Sequence, residues 1–133
     1  MNAEPFLDTN VLVYAFSDAP HTVKAESLVM DGGIISVQVL NEFVRVMRQK
    51  QRKRWNEIHQ MNAVVRALLS PPLPLTLEMH DKAVMLAERF GLEFFDCVIV
   101  AAALEAGCTT LYTEDLQHGQ VVDGLTIRNP FIS

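Results

Sequence analysis

The sequence predicts an α/β fold of three layers, α/β/α, with helices on both faces of a short, mainly parallel central sheet. Short apolar segments alternate with longer stretches whose apolar residues recur at helical spacing, the pattern of successive βα units. Polar residues fall directly after several of the short segments, at the edge where ligands gather in such sheets. At 133 residues the chain has one domain's length, enough to bury roughly two thirds of its unfolded surface without disulfides. No internal repeat or linker divides residues 1–133, which read as a single domain.

Each element follows from local signals. Glu4 to Leu7 reads as a first strand, and Asp8-Thr9-Asn10 as its polar end before a helix that opens on Val11-Leu12-Val13-Tyr14-Ala15-Phe16. A second helix spans His21 to Met30 and is closed by Asp31-Gly32-Gly33, and Ile34-Ile35-Ser36 reads as a short buried strand. From Val37, the apolar stripe Val39, Leu40, Phe43, Val46 and Met47 defines a helix that leaves Glu42 and Arg45 off its main face. Trp55 to Leu69 forms the next helix, ended by Ser70-Pro71-Pro72, and Leu73 to Leu77 is expected as a strand. Glu78 to Phe90 is amphipathic and stops at Gly91. Phe94 to Ala106 is apolar nearly all round except at Asp96 and Glu105, so it is expected as a buried helix. Thr109 to Tyr112 and Thr126 to Arg128 complete the sheet, with Thr113-Glu114-Asp115 at the carboxyl end of the former.

Composition excludes several classes. Half the residues are apolar and a fifth charged, which excludes intrinsic disorder. The longest unbroken apolar run, Cys97 to Leu104, is far short of the about twenty residues of a membrane helix, so no membrane partner is expected. The start, Met1-Asn2-Ala3-Glu4-Pro5, lacks the basic leader and apolar stretch of a signal peptide, and the expected compartment is the cytoplasm. Cys97 and Cys108 have no metal-ligand spacing and read as reduced core thiols.

The net charge of −5 argues at first against a nucleic-acid partner. Between Arg45 and Arg54, however, RVMRQKQRKR gathers six of the eleven cations (Arg45, Arg48, Lys50, Arg52, Lys53 and Arg54) and no acid. The remainder holds five basic against sixteen acidic residues, a balance of −11. The chain is thus an acidic body with one basic ridge.

Asp8 and Asp115 each follow a strand, and Asp96 opens an apolar helix, where a lone carboxylate is costly unless it is paired, metal-bound or at a helix terminus. Each alone reads equally as a cap or turn residue, and Glu42 alone as a solvated surface residue. Together the four repel strongly unless a cation is present, and hard oxygen donors select Mg²⁺ or Mn²⁺. Such a site suits phosphodiester hydrolysis by an activated water and requires no Ser, Cys or His nucleophile. Of His21, His59, His80 and His118, only His118 neighbours these acids, and it reads as a surface loop residue.

The succession Asp8-Thr9-Asn10-Val11-Leu12-Val13-Tyr14-Ala15, Ser36-Val37-Gln38-Val39-Leu40-Asn41-Glu42-Phe43, Phe95-Asp96 and Leu111-Tyr112-Thr113-Glu114-Asp115-Leu116 resembles a PIN-domain ribonuclease. It is most similar to the VapC-type toxins of bacterial toxin–antitoxin pairs, and the resemblance covers essentially the whole chain. It implies Mg²⁺- or Mn²⁺-dependent endonucleolytic cleavage of RNA, a homodimer, and inhibition by a small antitoxin that inserts into the active-site groove. Position by position, Asp8, Glu42, Asp96 and Asp115 match the acidic quartet that is both catalytic and metal-binding. Asn10, Ser36 and Thr113 match polar companions that orient waters and carboxylates. Glu114 fills a variable slot and leaves open whether it supplements or replaces Asp115.

The ridge residues are expected to hold RNA phosphates, Arg through paired hydrogen bonds and Lys as a point charge. A solvated helix end or a dock for an acidic partner segment fits the same charge. Trp55 is expected as a core anchor of its helix, with stacking on a base as the other use. Three further readings stay open: an RNA-processing nuclease without an antitoxin, a catalytically silent interaction module, and a phosphoryl-aspartate phosphatase. The last wants a second Asp two residues after the first, where Asn10 stands.

Overall fold

Residues 3–132 are described by the structure, a computed structural model. The reading of the start at Met1-Asn2 and the terminal Ser133 lie outside them. The elements are β1 (Phe6–Leu7), α1 (Thr9–Ala15), α2 (Thr22–Met30), α3 (Val37–Gln49), α4 (Trp55–Leu68), α5 (Leu77–Phe90), α6 (Phe94–Glu105), β2 (Thr110–Tyr112), β3 (Val121–Val122) and β4 (Leu125–Arg128).

The sheet runs β1-β2-β4-β3, with β1, β2 and β4 parallel and β3 antiparallel to β4. Single parallel bridges, Phe6 to Ile34 and Ser36 to Leu73, extend it beyond β1. The Ile34–Ser36 segment therefore lies in the sheet as expected, held by Leu7 N donating to Ile34 O and Leu73 N to Ile35 O, each at 2.9 Å. Gly33 leads into it where Pro5 O lies only 3.0 Å from the place a Cβ would occupy, so a side chain there would make the two closely approaching segments give by a few tenths of an ångström.

Two expectations about the sheet are corrected. Leu73 to Leu77 forms no strand: only Leu73 bridges, because Pro72 and Pro74 on either side have no N–H to donate, and Thr76 already caps α5 by accepting from Met79 N at 3.1 Å. The sequence reading also lacked β3. Its hairpin turns at Asp123-Gly124, both at positive φ (49° and 89°), the backbone of a tight two-residue β-turn. Lys82 and Arg89 of α5 each reach Asp123 at 3.1 Å and tie the hairpin to that helix.

The core is built by fully buried side chains from every layer, including Phe6, Leu12, Ile35, Phe43, Met47, Leu111 and Ile127. Along α6, Cys97 to Ala103 are all buried, as the unbroken apolar pattern predicts. Cys97 and Cys108 are free, and burial pushes both thiols up, Cys108 to about 11, so they are inert packing groups. Among the described residues no helix is long and apolar enough to cross a membrane.

Candidate active site

Parallel pairing of Leu7 with Tyr112 brings the ends of β1 and β2 side by side, with Asp8 N donating to Tyr112 O at 3.0 Å. The residues after each strand, Asp8 and Thr113, therefore meet. Asp8 is the N-cap of α1 and only 3% exposed; Thr9 N donates to it at 2.6 Å and Thr113 Oγ1 at 2.8 Å. Burial nevertheless pushes its carboxyl up to about 7, helped by the charges of Asp115 and Glu42 and opposed by those hydrogen bonds.

Thr113 is the keystone of the polar network. Its hydroxyl donates to Asp8 and accepts from Asn10 Nδ2 at 3.2 Å and from Asp115 N at 3.0 Å, which fills its hydrogen-bonding capacity. Asn10 also donates to Asp115 Oδ2 at 3.2 Å. The same two companions thus fix both strand-end carboxylates.

Asp96 arrives from the first turn of α6. It is not the cap of that helix: Glu93 is, accepting from Asp96 N at 3.1 Å. Partial burial, then the charges of Asp115, Glu93 and Glu42, push the Asp96 carboxyl up to about 6. One oxygen from each of Asp8, Asp96 and Asp115 lies within 4.8 Å of the others. Glu42 is outside this trio, half-buried, with Thr9 Oγ1 donating to one oxygen at 2.9 Å and Gln38 Nε2 to the other at 3.1 Å. Ser36 contributes at one remove: fully buried, it caps α3, the helix that carries Glu42, by accepting from Val39 N at 3.3 Å.

Glu114 points elsewhere. Tyr14 OH donates to its two oxygens at 2.9 and 3.1 Å, so at this turn it is Asp115 that joins the trio. His118 is exposed and its Nδ1 accepts from Asn129 N at 3.0 Å, a loop contact as expected.

The basic ridge divides. Arg45 and Lys50 line a hollow of ≈ 340 Å³ together with Glu42 and Asp115. Arg48 instead lies 4.8 Å over the ring of Trp55 and donates to Lys53 O, while Arg54 pairs with Glu57 at 3.2 Å. Arg52 is exposed in a left-handed turn at φ 54°. Trp55 is 52% exposed and so is not the core anchor expected of it; Ile58 and Val65 bury α4.

Sequence reasoning missed Thr9, Tyr14, Gln38 and Glu93. Gln38 stands one turn before Glu42 on the same helix face, and Glu93 stands three residues before Asp96 at cap spacing, so both were within reach of local rules. Thr9 and Tyr14 meet partners 33 and 100 residues away, which no local rule announces.

The donor chemistry fits a hard divalent cation. Among the described residues no basic side chain is paired with the trio, and oxygen-only carboxylate donors are the set that Mg²⁺ or Mn²⁺ takes.

The family model of the PIN domain matches residues 6–123. The chain belongs to the PIN domain family. Solved structures show the same fold. A toxin–antitoxin complex from Klebsiella pneumoniae superposes with a TM-score of 0.70 at 18% identity, covering 96% of this chain and 98% of that one. The sarcin-ricin loop-cleaving toxin VapC20 of Mycobacterium tuberculosis gives 0.68 at 16% identity over 83% and 90%. VapBC2 from Rickettsia felis, bound to a DNA fragment from its promoter, gives 0.67 at 20% over 93% and 96%. No curated protein matches the sequence. This PIN domain thus has the three-layer fold and the mostly parallel sheet that its sequence predicts.

Proposed function

We propose that this PIN domain is a Mg²⁺- or Mn²⁺-dependent endoribonuclease and the toxin of a toxin–antitoxin pair, working as a homodimer held in check by a small antitoxin. The observation that carries the reading is the convergence of Asp8, Asp96 and Asp115 beside a hollow that also holds Arg45 and Lys50. Family membership and the toxin folds it resembles support it.

Asp8, Asp96 and Asp115 are the residues that would hold the ion. When bound, such an ion lowers the pKa of a water and neutralises charge on the scissile phosphate. Asn10 and Thr113 keep the Asp8 and Asp115 carboxylates aimed by occupying the oxygens that face the protein. Thr9 and Gln38 hold Glu42 at the rim, where its charge adds to the field at Asp8 and Asp96. Arg45 and Lys50 offset that field on the substrate's side and take the phosphates flanking the cut.

Single-stranded RNA incubated with the protein in Mn²⁺ or Mg²⁺ is expected to be cut internally, and EDTA to stop the cleavage. Asp8→Asn and Asp96→Asn should each lower the rate by a factor of about a hundred or more, the scale of losing a principal electrostatic group. Undiminished cutting by either variant would overturn the site.

A further inference from the structure

The hollow beside the carboxylates does not end at Lys50. It shares Val13, Tyr14 and Gln51 with a second hollow of ≈ 470 Å³, which continues along α1 past Phe16 and Asp18 to Lys53. We propose that this second hollow is a nucleotide subsite: it takes the base and phosphate next to the scissile position of a single-stranded RNA. The inference rests on the ribonuclease reading and deepens it.

Charge sets the path. Arg45 and Lys50 line the first hollow and Lys53 the second, and among the described residues none of the three has an ion pair. Arg48 and Arg54 are engaged by Trp55 and Glu57. Cations that form no ion pair among the described residues thus follow the groove from the carboxylates onward, as a polyanion's track requires. A third hollow, between α2 and α4, is lined by Val29, Met30, Val64 and Leu68 with Glu26 as its charged residue, and so does not continue that track.

The second hollow also offers a base what it needs. Val13, Tyr14 and Phe16 give an apolar and aromatic wall, against which any base has a face to lay. Asp18 and the side chain of Gln51 stand at the same hollow with no hydrogen bond to another described residue. A carboxylate accepts and does not donate, so Asp18 favours a base edge with adjacent N–H donors, as guanine has at N1 and N2. Uracil, whose single N–H lies between two carbonyl oxygens, is the base it disfavours.

The test uses the 133-residue chain carrying Asp8→Asn, expected to cut about a hundredfold more slowly, in Mn²⁺ buffer with fluorescein-labelled ribonucleotides followed by anisotropy within the time before cleavage. Lys53→Ala is expected to weaken a hexanucleotide by about fivefold and leave a dinucleotide, too short to enter both hollows, unaffected. Lys24→Ala, an equal charge change on the exposed face of α2, should alter neither. Uridine in place of guanosine beside the scissile position should weaken binding severalfold, and Asp18→Asn should erase that preference. Hexanucleotide binding that is indifferent to Lys53 overturns the subsite and leaves the ribonuclease reading standing, whereas absence of any RNA binding overturns both. A hexaglutamate peptide that binds with the same dependence on Lys53 would assign the hollow to an acidic protein segment instead.

Discussion

Asp8 shows how one residue can be costly for the fold and useful for the site. It is buried, and its carboxyl stands at about 7 instead of 3.8. A carboxylate whose folded pKa is raised stabilises the protein fully below its unfolded pKa, and that contribution is lost as pH rises through the folded value. The window therefore runs from about pH 4 to about pH 7, and Asp96, raised to about 6, acts in the same direction. Ion-free protein should be less stable at pH 8 than at pH 5, by about 2–3 kcal/mol from Asp8 alone on the scale of 1.36 kcal/mol per pKa unit, since part of the span is already lost between pH 4 and pH 5. Asp8→Asn removes that charge and should melt several degrees higher than the parent at pH 8 in EDTA, while the two converge near pH 4. Thermal melts across that range check it, and a parent at least as stable as the variant at pH 8 would refute the account. Asp8 was legible in the sequence because it ends a strand. The role of Thr113 as donor to Asp8 was not, since its partner is 105 residues away.

At the level of elements, turns and caps decide where the functional side chains emerge. Ser36 starts α3 and so sets the rotation of the helix that presents Glu42, Arg45 and Lys50. Ser36→Ala should lower unfolding free energy by about 1 kcal/mol, measured by denaturant titration, because one helix donor loses its acceptor. The β3–β4 hairpin offers a cleaner case. Nothing lies within 4 Å of a Cβ placed at Gly124, so the cost of a side chain there comes from its backbone at φ 89° alone. Gly124→Val should destabilise by about 1–3 kcal/mol, and Gly124→Asn should recover much of that loss. Equal stability of the valine variant would mean that the turn adopts another conformation. The Asp-Gly pair was a readable hairpin signal between Val122 and Leu125, and the sequence reading passed over it because the flanking strands are so short. Leu73 to Leu77 failed in the opposite sense: its apolar residues suggest a strand that the neighbouring prolines forbid.

Across the whole molecule, the separation of charge matters more than its sum. The acidic body of −11 includes the carboxylate trio, and the ridge of six cations lies along the adjoining groove with part of its length turned aside onto Trp55 and Glu57. Binding of single-stranded RNA should consequently respond to two variables at once. With phosphates at Arg45, Lys50 and Lys53, the logarithm of the binding constant should fall with the logarithm of salt at a slope of about −2, on the scale of −0.7 per contact. Removing divalent cations should weaken binding further, because the repulsion of Asp8, Asp96 and Asp115 for phosphate is then uncompensated. Affinity insensitive to both salt and chelator would undo the picture of a metal-centred groove.

Periodicity, turn residues and a polar residue after each short apolar segment were enough to reveal the helices, the parallel sheet and the acids at its carboxyl edge, because those signals act over a few neighbouring residues. The family likeness was legible too, in four short blocks spread over the chain. What the sequence left open was which acids meet. The register of β1 on β2 and the packing of α6 bring Asp8, Asp96 and Asp115 within 4.8 Å, set Glu42 at the rim and turn Glu114 toward Tyr14. The same long-range packing divides a uniform run of cations into groove-lining and engaged residues. Local sequence carries the chemistry of each side chain, but distance between side chains far apart in the chain is fixed only when the sheet and its helices close on one core.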